Sequence, residues 1–140
     1  MTGSPTLGLL SRTIGGIEFE VTLDAGPRIV GARSGSSPDF MAKLGDEGID
    51  HPGIGFYRFI GGHRLWRSPE VPAVTYVPDN DPIEVQEVEN GFRLVGPADG
   101  EGINKRISLR DEDGSAVLRP TLNNEAVSDT HLTLPTTVGV

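Results

Sequence analysis

The segment IEFEVTL, residues 17 to 23, alternates without a break: Ile17, Phe19, Val21 and Leu23 fall on one side of an extended chain, Glu18, Glu20 and Thr22 on the other. A period of two cannot keep an apolar stripe on a helix, whose period is 3.6, so this segment reads as a half-buried strand. Turn chemistry brackets it. Gly15-Gly16 precedes it, and Asp24-Ala-Gly-Pro27 leads into a second short run, RIVGAR.

The same arrangement recurs downstream. IEVQEVE and FRLV are separated by Asn90-Gly91, a pair that tolerates the positive φ of a tight hairpin, and INKRISLR and SAVLRPTLN flank Asp111-Glu-Asp-Gly114. With 19 Gly and 11 Pro among 140 residues, short strands joined by turns predict an all-β fold, an antiparallel β-sandwich of one domain. DFMAKLGDEGID, residues 39 to 50, is the one stretch that reads as a helical turn, with glycines near both ends. His51-Pro52-Gly53 reads as a loop.

Charge and composition remove several classes of function. Twenty acidic against 12 basic residues give a net charge of −8, which repels a phosphate backbone and an anionic bilayer alike. Neither nucleic acid nor a membrane is an expected partner. The absence of cysteine excludes disulfides, thiolate nucleophiles and thiolate metal sites. No basic leader precedes an apolar run at the amino terminus, and no stretch approaches the roughly 18 apolar residues of a membrane span. A soluble, cytoplasmic chain is the expectation. Asp79 and Asp81 are oxygen donors without calcium-loop spacing, so no metal and no cofactor is assigned.

The chemistry concentrates in GGHRLWRSPE, residues 61 to 70. If His63 to Ser68 is extended, His63, Leu65 and Arg67 share one face while Arg64, Trp66 and Ser68 share the other. Arg64 and Trp66 then become neighbours. An indole offers an apolar face to the C–H side of a pyranose, and a guanidinium beside it donates fixed hydrogen bonds to ring hydroxyls. Gly61 and Gly62 would let the backbone approach a ligand or bulge to re-aim His63. Glu70 and the Asp79-Asn80-Asp81 loop supply acceptors. Lys105 falls on the apolar parity of Ile103, Ile107 and Leu109, where a lysine must snorkel or find a partner, unless a register break at Gly102 removes it from that face. The candidate sugar contacts are therefore His63, Arg64, Trp66, Arg67, Glu70 and Lys105. The purely structural alternative keeps Trp66 as a core anchor, the arginines as cover for its edge and Gly-Gly as a turn.

GGHRLWRSPE, TYVPDNDP (75 to 82), and GINKRISL (102 to 109) with VLRPTLNN (117 to 124) resemble the amino-terminal half of proteins with the galactose mutarotase fold, the large β-sandwich of aldose 1-epimerases and related carbohydrate-active proteins. The likeness spans about residues 7 to 125 as a strand pattern, and its specific part is 61 to 82. It implies a carbohydrate-binding sandwich protein, with an epimerase as the alternative for a full-length chain and a structural or protein-binding sandwich as a third reading. In the catalytic members a histidine and a late glutamate exchange protons with the anomeric hydroxyl and the ring oxygen. Here Ile60 stands before the Gly-Gly pair where those members place a histidine, and VLRPTLNNE holds none. No catalytic residue is assigned.

VSDTHLTLPTT, residues 127 to 137, is similar to an in-frame translation of a transposon adapter used in sequencing libraries, with one substitution at Asp129. On that reading residues 1 to 126 are the amino-terminal portion of the sandwich and 127 to 140 a non-native tail. A missing second half would expose about 600 Å² of apolar sheet face, about 15 kcal/mol at about 25 cal/mol/Å². Self-association of the truncated chain is the expected consequence.

Overall fold

The computed structural model describes residues 8–53, 55–67, 81–124 and 138–139. Among them every regular element is a strand: β1 (Leu9–Ile14), β2 (Ile17–Thr22), β3 (Arg28–Ser34), β4 (Lys43–His51), β5 (Gly55–Gly61), β6 (His63–Arg64), β7 (Glu84–Val88), β8 (Gly91–Val95), β9 (Ile103–Glu112), β10 (Ser115–Asn124) and β11 (Val138–Gly139). All pairings are antiparallel. They form a sheet of order β1-β2-β3-β6, a second of order β11-β10-β9-β8-β7, and the β4-β5 hairpin. The all-β antiparallel class expected from the sequence is therefore the class observed.

The two larger sheets share one apolar cluster. Ile14, Phe19, Val21, Ile29 and Ala32 come from the first sheet, and Phe92, Leu94, Ile107, Leu109, Ala116 and Leu118 from the second. Alternation produces this directly: in β8 Phe92 and Leu94 are fully buried, while Gly91, Arg93 and Val95 on the other parity are half-buried. Each fully buried large apolar side chain contributes about 1.5–3 kcal/mol. The layers are also tied at their rims. Ile83 N–H donates to the Leu23 carbonyl at 3.0 Å, and the Arg12 guanidinium pairs with the Glu87 carboxylate while lying 5.7 Å from the Phe92 ring centroid.

Three hairpins turn where turn residues were expected, with adjustments. Gly15 and Gly16, at φ 56° and 78°, join β1 to β2, and Asp113 and Gly114, at 56° and 85°, join β9 to β10. Between β7 and β8 the turn lies one residue earlier than the Asn-Gly pair suggested: Val88 pairs with Gly91, and Asn90 alone takes positive φ, 61°. Gly91 belongs to the strand instead, paired with Val88 and Arg110, at a position where a Cβ would lie 1.9 Å from the Leu109 carbonyl oxygen.

Two expectations are corrected. The alternation of β2 fails at its end, where Thr22, assigned to the outer face, is fully buried and donates its hydroxyl to the Ala25 carbonyl. A register shift between Glu20 and Val21 breaks the period there. The 39 to 50 segment holds no helical turn: from Lys43 it is β4, paired with β5 through two register shifts. Gly48 makes that pairing possible, since a Cβ at this position would lie 2.2 Å from the Tyr57 carbonyl oxygen. Pro52 and Gly53 form the hairpin's turn. Of the tail set apart on sequence grounds, residues 127–137 lie outside the described residues, and Val138–Gly139 add a two-residue strand to the free edge of β10.

Candidate functional site

The connection from β5 to β6 brings the GGHRLWR segment against two sheets at once. Ile60, Gly61 and Gly62 all take positive φ, 54°, 91° and 72°. A Cβ at Gly61 would lie 2.1 Å from the Ala42 carbonyl oxygen, and one at Gly62 would lie 2.0 Å from that of Ile29. The close backbone approach at Gly-Gly is made to the protein's own backbone, at Ala42 and Ile29. Gly62 N–H donates to the Ala42 carbonyl at 2.8 Å and fixes the crossing.

Past this crossing His63 and Arg64 pair with Ile29 and Arg28 of β3. Strand pairing stops there: residues 65 to 67 are neither strand nor helix, and Ser68, the end of the expected extended run, lies outside the described residues. Arg64 and Trp66 are nevertheless neighbours. The Arg64 guanidinium lies 5.4 Å from the Trp66 ring and 4.5 Å from that of Tyr57, whose hydroxyl accepts from it. Tyr57 in turn meets Phe59 edge to face at 6.0 Å. Trp66 is 44% exposed, so it is not the buried core anchor of the structural alternative.

Arg28, Leu44, Tyr57, Phe59, Arg64 and Trp66, with the two glycines, line an open concavity of about 210 Å³. Its floor is stiffened by Arg28, which is buried and donates to the Phe59 carbonyl at 2.8 Å and the Arg58 carbonyl at 3.4 Å. Two guanidinium groups opposite one another across the β3–β6 ladder and three aromatic rings thus border one surface. An aromatic plane beside fixed N–H donors can hold a ligand that has an apolar face and several oxygen acceptors.

The other candidates are distributed differently. His63 is half-buried; its Nδ1 has no hydrogen-bond partner among the described residues, and burial holds the imidazole below its ordinary pKa, favouring the neutral form. Arg67 turns away to the β8–β9 loop, pairing with Asp99 at 3.1 Å and Glu101 at 2.8 Å. The hydrogen bond to Glu101 and the two negative charges raise its pKa. Asp99 also accepts from the Glu101 and Ile103 amides, so Arg67 anchors the Trp66 segment to an ordered loop rather than facing the concavity. Lys105 lies opposite Leu122 in a β9–β10 ladder that runs unbroken from Ile103 to Glu112, which removes the register break at Gly102. It is half-buried and does not line the concavity. Glu70, Asp79 and Asn80 lie outside the described residues.

Sequence reasoning missed Arg28, Tyr57 and Phe59. The signal was present in FYRF, where Tyr57 and Phe59 share one strand parity, but the partner strand that turns them toward Arg64 follows from the Gly-Gly crossing. No family model matches the chain, and neither a curated protein nor a solved structure does.

Proposed function

We propose that this chain binds a neutral pyranose on the Arg64–Trp66 surface, as part of a carbohydrate-binding β-sandwich of the galactose mutarotase-like superfamily. One observation carries the reading: a half-exposed indole stands 5.4 Å from a guanidinium that is itself held against the Tyr57 ring, on the border of a concavity. The indole face supplies the apolar shelf and the guanidinium the directed donors. Binding without turnover is proposed, because ring opening needs an acid and a base at the anomeric centre and the site assigns neither role. His63, whose burial favours the neutral imidazole, precedes Arg64 in β6 and is not among the residues that line the concavity.

Trp66 is the only tryptophan, so its fluorescence reports this site alone. Titration with galactose and with glucose is expected to give a saturable change. By calorimetry, Trp66→Ala should weaken binding by about tenfold or more, the loss of about 1.4 kcal/mol of stacking. A flat titration on protein shown to be folded by circular dichroism would remove the reading.

A further inference from the structure

The second large sheet carries an unusual outer face. Arg93 of β8, Arg106 and Arg110 of β9 and Arg119 of β10 all take the parity opposite to the core residues Phe92, Leu94, Ile107, Leu109 and Leu118. The ladders set them around one position: Ser108 is directly opposite Arg93 on one side and Arg119 on the other, with Arg106 and Arg110 two residues before and after it. These four arginines, Ser108 and Thr121 line a concavity of about 400 Å³, which is small-molecule size.

Like charges at diagonal cross-strand positions repel one another, though less than charges set directly opposite. A chain with net charge −8 and 12 basic residues nevertheless places four of them here. One contact partly offsets the charge and another satisfies a donor without offsetting it. Glu112, near the hairpin tip, pairs with Arg119 at 2.6 Å, and its carboxyl is held low by that hydrogen bond and by the charges of Arg119 and Arg110. Arg93 donates to the neutral Gln86 amide at 3.5 Å. All four arginines are half-buried on a face turned away from the core, and all four line the same concavity.

The geometry points to a second site, a pocket for a small phosphoryl-bearing molecule on the outer face of β8–β10, centred on Ser108. Planar guanidinium forks match phosphate oxygens two at a time, and the Ser108 and Thr121 hydroxyls add uncharged donors on the floor. This goes beyond the sugar shelf and uses none of its residues.

Calorimetric titration of the whole chain with pyrophosphate tests it. Saturable binding is expected, and Arg93→Gln with Arg110→Gln should weaken it by about tenfold or more, as loss of charge-assisted hydrogen bonds predicts. Arg33→Gln, on the other large sheet and paired with Glu18 and Glu20, should leave it unchanged. Should the double variant lose its fold, Arg110→Lys, which keeps the charge and loses the fork, carries the test with a smaller weakening. No binding, equal weakening by Arg33→Gln, or complete displacement by sodium chloride at matched ionic strength would overturn the proposal.

Discussion

The two-sheet layer and the β4–β5 hairpin are built from the same kinds of residue and differ in what covers them. In the layer, Phe19, Val21, Phe92, Leu94, Ile107 and Leu109 are buried to 2% exposure or less, and alternates such as Glu18, Glu20, Arg93, Arg106, Ser108 and Arg110 are polar or charged. In the hairpin, Ile49, opposite Tyr57, and Phe56, opposite Asp50, take different parities and remain 51% and 44% exposed. One region puts its apolar residues on a single face and closes it; the other carries them on both and closes neither. Its contribution to a core is Ile60, which packs with Ala25 and Val30 in a small separate cluster. Alternation organises burial only where a second sheet answers it.

The largest effect should come from the layer. Phe92→Ala, at the centre of the shared cluster, should lower unfolding free energy by about 3–5 kcal/mol in urea titration followed by circular dichroism. A loss below about 1 kcal/mol would mean that the two sheets do not depend on one another. Next is the junction between the regions: Gly62→Ala puts a Cβ against the Ile29 carbonyl at φ 72° and should cost about 1–3 kcal/mol. Trp66 emission should shift with it, since the crossing sets the indole's position. An unshifted spectrum would separate the shelf from the junction.

Third comes pH. His63 has a folded pKa below its ordinary value, so below that ordinary value the unfolded chain binds more protons than the folded one. Stability should therefore fall as pH drops from about 6.5 toward the folded pKa, and His63→Gln should flatten the slope in thermal melts across that window. An equally steep slope in the variant would place the pH dependence elsewhere. The smallest effect belongs to the hairpin surface, where Ile49→Ser should change stability by no more than about 0.5 kcal/mol. Sedimentation of the same variant addresses the expected self-association: a shift toward monomer would locate it on the hairpin, and an unchanged distribution would move it to the sheet edges.

What was legible follows from the same contrast. IEFEVTL, the β7–β8 pair and the β9–β10 pair announce themselves because one face is buried, so burial writes a period of two into the sequence. Glycines at 45 and 48, and charges between them, erased that period in β4, and the strand read as a helical turn. At the candidate site the adjacency of Arg64 and Trp66 was legible from spacing alone. The roles of Arg67, Arg28 and Tyr57 were not, because they depend on the β8–β9 loop and the β3 and β5 strands, contacts distant in sequence. That Gly61 and Gly62 permit a close backbone approach was legible; that Ala42 and Ile29 are what they approach was not, because both lie distant in sequence.

That crossing has a dynamic corollary. Hydrogen atoms alone separate the chain at 61 and 62 from the carbonyls of Ala42, just ahead of β4, and Ile29 of β3, so local breathing of either segment must drag the aromatic ledge with it. Amide hydrogens of Ile29 and Gly62 should consequently exchange with solvent as one unit, slowing together whenever a ligand clamps the indole.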